Sequence, residues 1–145
     1  MDDTVRVRPL GVIICDDIRK EENGKLLIVG AYPEGIAISN LPAQLTLGVI
    51  FLFQSSGPGH VSFQIELRAP GGDTARANIE MDVKYEPRPH SVATVPLSGI
   101  PVAIKEEGDM ILAFRHKDDE WQTLRIMPVE LNTELRSKTI NIASD

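Results

Sequence analysis

The three histidines are the side chains best suited to metal binding or acid–base chemistry, and each stands alone in the sequence. His60, His90 and His116 fall at predicted turns or strand ends, and none belongs to an HxH or HExxH ligand pair. The sequence also lacks a GxSxG nucleophile elbow and a GxxxxGKS/T phosphate loop. Because isolated residues are weak evidence for a site, we expect three exposed loop histidines and no enzymatic activity.

Acidic side chains offer a second candidate chemistry. Asp118, Asp119 and Glu120 are adjacent in one predicted turn. Together with Asp16-Asp17, and with Asp73 or Asp109, they could gather at one end of a sandwich and present oxygen ligands to calcium. They follow no ligand pattern such as that of the EF-hand, and adjacent acids in hairpins also favour turns and protect sheet edges. Solvated turn residues are the stronger interpretation, calcium remains the alternative, and no cofactor is expected.

A third group of polar residues follows an apolar run that ends at Cys15. Asp17 and Arg19 alternate along the predicted strand, so they share a face and could form an ion pair or hold a backbone group. Asp16 would complete a small binding site with them, although a structural role for the three is the stronger interpretation. Cys15 itself is expected to be a small buried hydrophobic residue.

Composition narrows the functional classes. The net charge of -6 and the isoelectric point near 5.1 argue against a nucleic-acid surface, which needs basic groups to displace counterions. With one cysteine the chain can form no intrachain disulfide, which fits a reducing compartment. The longest apolar stretch, Leu45–Phe53, is far shorter than the roughly 20 residues of a membrane helix. The first residues lack the pattern of a secretory signal, so we expect a cytoplasmic protein that does not bind membranes.

Strict alternation of apolar and polar residues is the clearest structural signal. It runs through His60–Arg68 and Thr74–Tyr85, and Ala69-Pro70-Gly71-Gly72-Asp73 between them has the composition of a turn. Leu45–Phe53 is nearly unbroken in its apolar character and predicts a central strand. Together the three strands predict a meander.

The front of the chain predicts a hairpin, because Asn23-Gly24 is a strong turn signal between apolar runs. A strict two-residue turn would pair Ile18 with Val29 and Lys20 with Leu27, which places a charged residue opposite a buried one. A longer loop or a bulge near Glu21–Glu22 would relieve that conflict.

The remaining chain also predicts short strands. No stretch of a dozen residues has apolar residues spaced three and four apart, as a long helix would. The further predicted strands are Ile36–Ile38 at an edge, Ser91–Leu97, Val102–Lys105, and a hairpin of Met110–His116 with Trp121–Pro128. About eight short strands predict an all-β, antiparallel two-sheet sandwich, immunoglobulin-like or similar, with a small barrel as the alternative. Residues 1–131 form the expected single domain, and residues 132–145 an extension that could add an edge strand.

The front hairpin also carries a family resemblance. Cys15-Asp16-Asp17-Ile18-Arg19, then Gly24-Lys25-Leu26 and Ile28-Val29-Gly30-Ala31-Tyr32, resembles the opening signature of a family of uncharacterised bacterial proteins. Members commonly have a Pro-Gly-x-Tyr element before a late strand, of which Glu107-Gly108-Asp109-Met110 keeps only the glycine. The resemblance implies a single β-sandwich domain and no known reaction.

These observations favour a non-catalytic protein-interaction or assembly module that meets another protein or a second copy of itself. The alternative is a binder of a small ligand or calcium that uses loops at one end of the sandwich. An enzyme ranks third, because it would need two of the histidines within hydrogen-bond reach of acids. Trp121, Tyr32 and Tyr85 lie at predicted strand ends and would serve either as interface anchors or as plugs of the core.

Overall fold

A computed structural model describes residues 5–132 of the chain, and within that range it contains nine β-strands and no helix. The protein is therefore all-β, as the alternation predicts. The strands are β1 (Val7–Lys20), β2 (Leu26–Ala31), β3 (Ile36–Ile38), β4 (Ala43–Ser55), β5 (Gly59–Arg68), β6 (Thr74–Val83), β7 (Ala93–Ile104), β8 (Gly108–His116) and β9 (Gln122–Leu131).

The strands form two curled sheets that face each other, which confirms the predicted two-sheet architecture. One sheet has four strands in the order β2-β1-β4-β7, and the other has five in the order β3-β9-β8-β5-β6. Every described pair is antiparallel except β3 with β9, which is parallel over Ile36–Ile38. The second sheet is therefore mixed, whereas the sequence predicted purely antiparallel pairing.

The core lies between the two sheets and is centred on aromatic rings. Phe51 and Phe53 from β4 meet Phe63 from β5 and Phe114 from β8, with ring centroids 5.2–5.6 Å apart in the contacting pairs. All four side chains are almost completely buried. Offset and tilted ring pairs at these separations add to the stabilisation from apolar burial.

Two predicted connections are wrong. The predicted meander fails because β4 lies in the four-stranded sheet while β5 lies in the five-stranded sheet. Both edges of β4 are already occupied by β1 and β7, so β5 has no free edge to join. The predicted strands Ser91–Leu97 and Val102–Lys105 belong to one continuous strand, β7. This strand can contain Pro96 because it lies at the edge of the sheet, where a missing backbone N–H is tolerated.

The front hairpin has a longer loop and not the strict two-residue turn. Ile18 pairs with Ile28 and Lys20 with Leu26, one residue away from the strict two-residue turn. Five residues connect the strands, and the Glu21 N–H donates to the Lys25 carbonyl over 2.8 Å. Gly24 adopts a φ of 85°, a left-handed conformation that glycine adopts without steric cost.

The described part of the chain ends shortly after β9. Asn132 donates its backbone N–H to the Ile38 carbonyl over 2.7 Å, which continues the contact between β9 and β3. The added strand considered for the C-terminal extension lies outside the described residues. Residues 5–132 contain no helix long and apolar enough to cross a membrane.

Candidate interaction surfaces

The structure divides the predicted site of Asp16, Asp17 and Arg19 between the two faces of β1. Arg19 Nε donates to Asp17 Oδ2 over 3.2 Å, and both side chains are about half exposed or more. The predicted ion pair is therefore present, on an open surface where such pairs contribute little to stability. Asp16 does not join it, because neighbouring residues of a strand point to opposite faces.

Asp16 instead has a structural role at the end of β2. The Tyr32 hydroxyl donates a hydrogen bond to Asp16 Oδ1. Burial is the larger cause, and this hydrogen bond the smaller, of a raised pKa at Tyr32. The carboxylate of Asp16 occupies the space where a β-carbon on Gly30 would stand. Gly30 also has a φ of 67°, so its backbone conformation and its surroundings both favour glycine.

Cys15 is fully buried, as predicted. Its Sγ approaches the carbonyl of Asp17 at 3.4 Å and that of Gly48 at 3.7 Å. Burial raises the pKa of the Cys15 thiol, and the charge of Asp16 raises it further. A buried thiol with a raised pKa is a poor nucleophile.

The acids considered as calcium ligands lie in the turn between β8 and β9, with Asp119 turned back toward the sheet. Asp119 Oδ2 accepts from Arg6 Nη2 over 3.3 Å and lies 3.7 Å from His116 Nδ1. Within residues 5–132, no three His, Cys, Asp or Glu side chains converge as a metal site would require. The geometry therefore adds no support to the calcium hypothesis.

The histidines differ from one another in exposure and in hydrogen-bond partners, which their isolated positions in the sequence do not predict. His116 is not an exposed loop residue: its side chain is 12% exposed, and its Nε2 accepts the Val7 N–H over 2.9 Å. Burial and the charge of Arg6 lower the pKa of His116 against the opposing effect of Asp119. His60 lies in β5 with its Nδ1 3.2 Å from Asp82 Oδ1. Among residues 5–132, His60 is therefore the one histidine with a carboxylate within hydrogen-bond distance.

Two hollows of the described fold bear on the small-ligand hypothesis. An apolar cavity between the sheets, lined in part by Ile65, Leu97 and Ile100, is about 50 Å³, far below the usual size of a ligand site. A larger hollow of about 350 Å³ beside His60 and His116 is lined mainly by charged and polar side chains. Neither hollow is the deep apolar pocket that would favour the small-ligand hypothesis.

Strand β2 forms an exposed edge made only of apolar residues and glycine. Its sequence is Leu-Leu-Ile-Val-Gly-Ala, and Leu27, Ile28 and Val29 are 47%, 38% and 40% exposed, respectively. Since consecutive residues of a strand point to opposite faces, both faces of β2 are open. Within residues 5–132, β2 pairs with β1 alone, so the backbone groups along its outer side have no strand beside them.

The other sheet edges in the described range carry the usual protection against intermolecular pairing. Edge strand β7 contains Pro96 and Pro101, and edge strand β3 has only three residues. Edge strand β6 presents charged side chains such as Arg76 and Glu80 at alternate positions. Prolines, short length and charge all discourage the addition of another strand. Strand β2 has none of these features.

A cluster of three arginines around one tryptophan lies on the outer face of the five-stranded sheet. At its base is Glu66, which is only 6% exposed. Arg68 Nε donates to Glu66 Oε1 over 2.7 Å, and Arg76 Nε donates to Glu66 Oε2 over 2.9 Å. Burial acts to raise the pKa of Glu66, but the hydrogen bonds and charges of Arg68 and Arg76 outweigh it, so the pKa is lowered.

The third arginine and the tryptophan complete the cluster. Arg115 Nε donates to Gln64 Oε1 over 2.7 Å. The guanidinium carbons of Arg115, Arg76 and Arg68 lie 4.3, 5.1 and 5.5 Å, respectively, from the ring centroid of Trp121. All three distances are within the range of cation–π attraction. We call Arg68, Arg76, Arg115 and Trp121 the arginine–tryptophan cluster.

The sequence contains a signal for part of this cluster. The turn at residues 69–73, centred on Gly71, places Glu66 opposite Arg76, and the alternation in β5 puts Glu66 and Arg68 on one face. Trp121 was predicted only to be an anchor or a plug, whereas it packs against arginines outside the core. The contribution of Arg115 could not be predicted, since it depends on the pairing of β5 with β8 across a long connection.

Comparison with known proteins identifies a family and no activity. No curated protein matches the chain. One family model matches residues 10–130, which include β2, the signature residues around Asp17 and the arginine–tryptophan cluster. The chain belongs to that family, a family of unknown function (DUF6941).

Proposed function

We propose that this protein is a non-catalytic assembly module in which β2 pairs with β2 of a second copy of the chain. The observation that carries the proposal is the β2 edge: six residues without charge or proline, exposed on both faces and unpaired on the outer side within the described range. Natural proteins cover or charge such an edge, because it is a template for another strand.

A second copy suits this edge because antiparallel pairing of one strand with itself is symmetric. A two-fold axis across β2 places the same patch on both subunits, as in most dimers. The exposed Leu27 and Val29 of each copy would then pack beside those of the other. The two four-stranded sheets would join into one continuous sheet, with main-chain hydrogen bonds between the copies.

The charges at the two ends of β2 support an antiparallel arrangement. Exposed Lys25 directly precedes the strand, and exposed Glu34 follows its end by three residues. Antiparallel pairing brings Lys25 of each copy to the end of the strand where the partner's Glu34 lies. Opposite charges at the ends of the paired strands would favour the correct alignment over a shifted one.

The test is sedimentation velocity of the full chain at several concentrations. We expect the wild-type protein to dimerise with rising concentration, and the double variant Leu27→Lys/Val29→Lys to stay monomeric because it places like charges along the edge. Ile126→Lys is the matched control, since Ile126 is 55% exposed on β9, which is not an edge strand, and this variant should dimerise like wild type. A monomeric wild-type protein, or a double variant that dimerises normally, would overturn the proposal.

A further inference from the structure

The arginine–tryptophan cluster has more positive charge than its own residues neutralise. Three guanidinium groups face one carboxylate, that of Glu66, which leaves two positive charges in excess. The whole chain has a net charge of -6, so this local excess does not reflect the overall composition. Like charges packed against one ring repel each other, and an anion beside them would relieve that repulsion.

The hydrogen bonds within the cluster fix the arginines but leave donors for a ligand. Arg68 and Arg115 each use only Nε in the hydrogen bonds formed among the described residues. Their terminal amino groups therefore remain for other acceptors. Because Glu66, Gln64 and the Trp121 ring already hold the guanidinium planes, little side-chain freedom would be lost when an anion binds.

The position of the cluster favours an extended ligand over a small one. Its arginines come from β5, β6 and β8, and Trp121 directly precedes β9. The four residues lie on an open sheet face and not in a cavity. A single small anion on such a surface is screened by salt and held weakly. Several carboxylates on one chain bind together and gain from their high effective concentration.

We propose that the arginine–tryptophan cluster is a docking surface for an acidic segment of a partner protein. The carboxylates of the segment would accept hydrogen bonds from the free amino groups of Arg68 and Arg115, a contact in which the planar guanidinium matches the carboxylate. The net negative charge of the rest of the protein disfavours a polynucleotide, whose phosphates extend far beyond the cluster. This surface is separate from the β2 edge, which lies in the other sheet.

Trp121 provides a direct readout, because it is the single tryptophan of the chain. The probe is a synthetic peptide of alternating glutamate and serine, titrated into the full-length protein while tryptophan emission is recorded. We expect saturable binding that shifts the emission and weakens as salt is added. A peptide in which glutamine replaces glutamate should give no change.

Arg115→Gln is the informative variant, because the Arg115 partner is the neutral Gln64 and no buried carboxylate loses its partner. We expect peptide binding to weaken about tenfold, the effect of one charge-assisted hydrogen bond. Arg8→Gln is the matched control, since Arg8 lies on β1 of the other sheet and pairs with Gln54. Its binding should equal that of wild type.

Four results would overturn the proposal. The first is an unchanged emission over the whole titration. The second is binding that Arg115→Gln leaves intact. The third is a polynucleotide that binds as tightly as the peptide. The fourth is an emission change that follows protein concentration without peptide, which would make a second copy the occupant. None of these bears on dimerisation through β2, which the edge variants test independently.

Discussion

At the scale of single residues, the polar groups removed from solvent are held by specific partners. His116 accepts a backbone N–H from Val7, the half-buried Tyr32 donates its hydroxyl to Asp16, and Glu66 accepts from two arginines. Within residues 5–132 no buried side-chain nitrogen or oxygen lacks a hydrogen-bond partner. These contacts give His116, Tyr32 and Glu66 each a role in the fold.

His116 should make stability depend on pH. Its pKa in the folded protein lies below the ordinary 6.5, so the unfolded chain takes up the proton first as the pH falls. The free energy of unfolding should therefore decrease as the pH drops below 6.5, and protonation would also remove the acceptor for Val7. Urea unfolding at a series of pH values measures this dependence.

The variant His116→Gln keeps an acceptor for the Val7 N–H but does not titrate. It should show a flatter pH dependence than wild type in the same range. His90→Gln, which changes an exposed loop histidine, is the control and should behave like wild type. Equal pH dependence in wild type and His116→Gln would contradict the role assigned to His116.

The surroundings and backbone conformation of Gly30 predict a loss of stability when it is replaced by alanine. In Gly30→Ala, the added β-carbon would overlap the Asp16 carboxylate, and the residue would keep a left-handed φ of 67°. The left-handed conformation alone costs about 1–2 kcal/mol for a residue with a β-carbon. We expect at least that loss in the free energy of unfolding by urea titration.

Gly57→Ala is the matched control, because nothing lies within 4 Å of its added β-carbon. It should change stability by no more than about 0.5 kcal/mol. The double variant Asp16→Ala/Gly30→Ala should regain part of the loss by removing the overlap. If Gly30→Ala proves as stable as Gly57→Ala, the close approach of Asp16 is not a constraint.

At the scale of elements, the positions of the strands in the sequence could be predicted more reliably than the pairing of those strands within the sheets. Alternation located β5 and β6, and the turn between them fixed their register, so the polar face with Glu66 and Arg76 was in principle readable. Sheet membership depends instead on which edges are already filled. That information is not local, so the predicted pairing of β4 with β5 was wrong.

The same distinction explains the candidate sites. The ion pair between Asp17 and Arg19 follows from alternation along one strand and was predictable. Arg115 can approach Trp121 and join Arg68 and Arg76 only because β8 pairs with β5. The exposure of β2 follows from the position of β1, whose other edge pairs with β4 and leaves β2 at the edge of the sheet. Neither pairing can be predicted from local sequence. The apolar sequence of β2 predicts a buried strand, whereas five of its six residues are exposed.

At the scale of the whole molecule, the two candidate interaction surfaces lie on a fold whose core is built of apolar side chains. The apolar edge of β2 and the cationic arginine–tryptophan cluster lie in different sheets, so one can be blocked without altering the other. A dimer built through β2 would therefore present two arginine–tryptophan clusters. Two linked clusters would bind a partner with repeated acidic segments more tightly than one.

The central claim, pairing through the β2 edge, is tested most directly by hydrogen exchange of backbone amides at low and high protein concentration. Pairing with a second copy would protect the outward amides of Leu26–Ala31 as the dimer forms, while the exposed edge of β6 would exchange equally fast at both concentrations. We predict concentration-dependent protection confined to β2. Exchange in β2 that is fast and independent of concentration would contradict assembly through this edge.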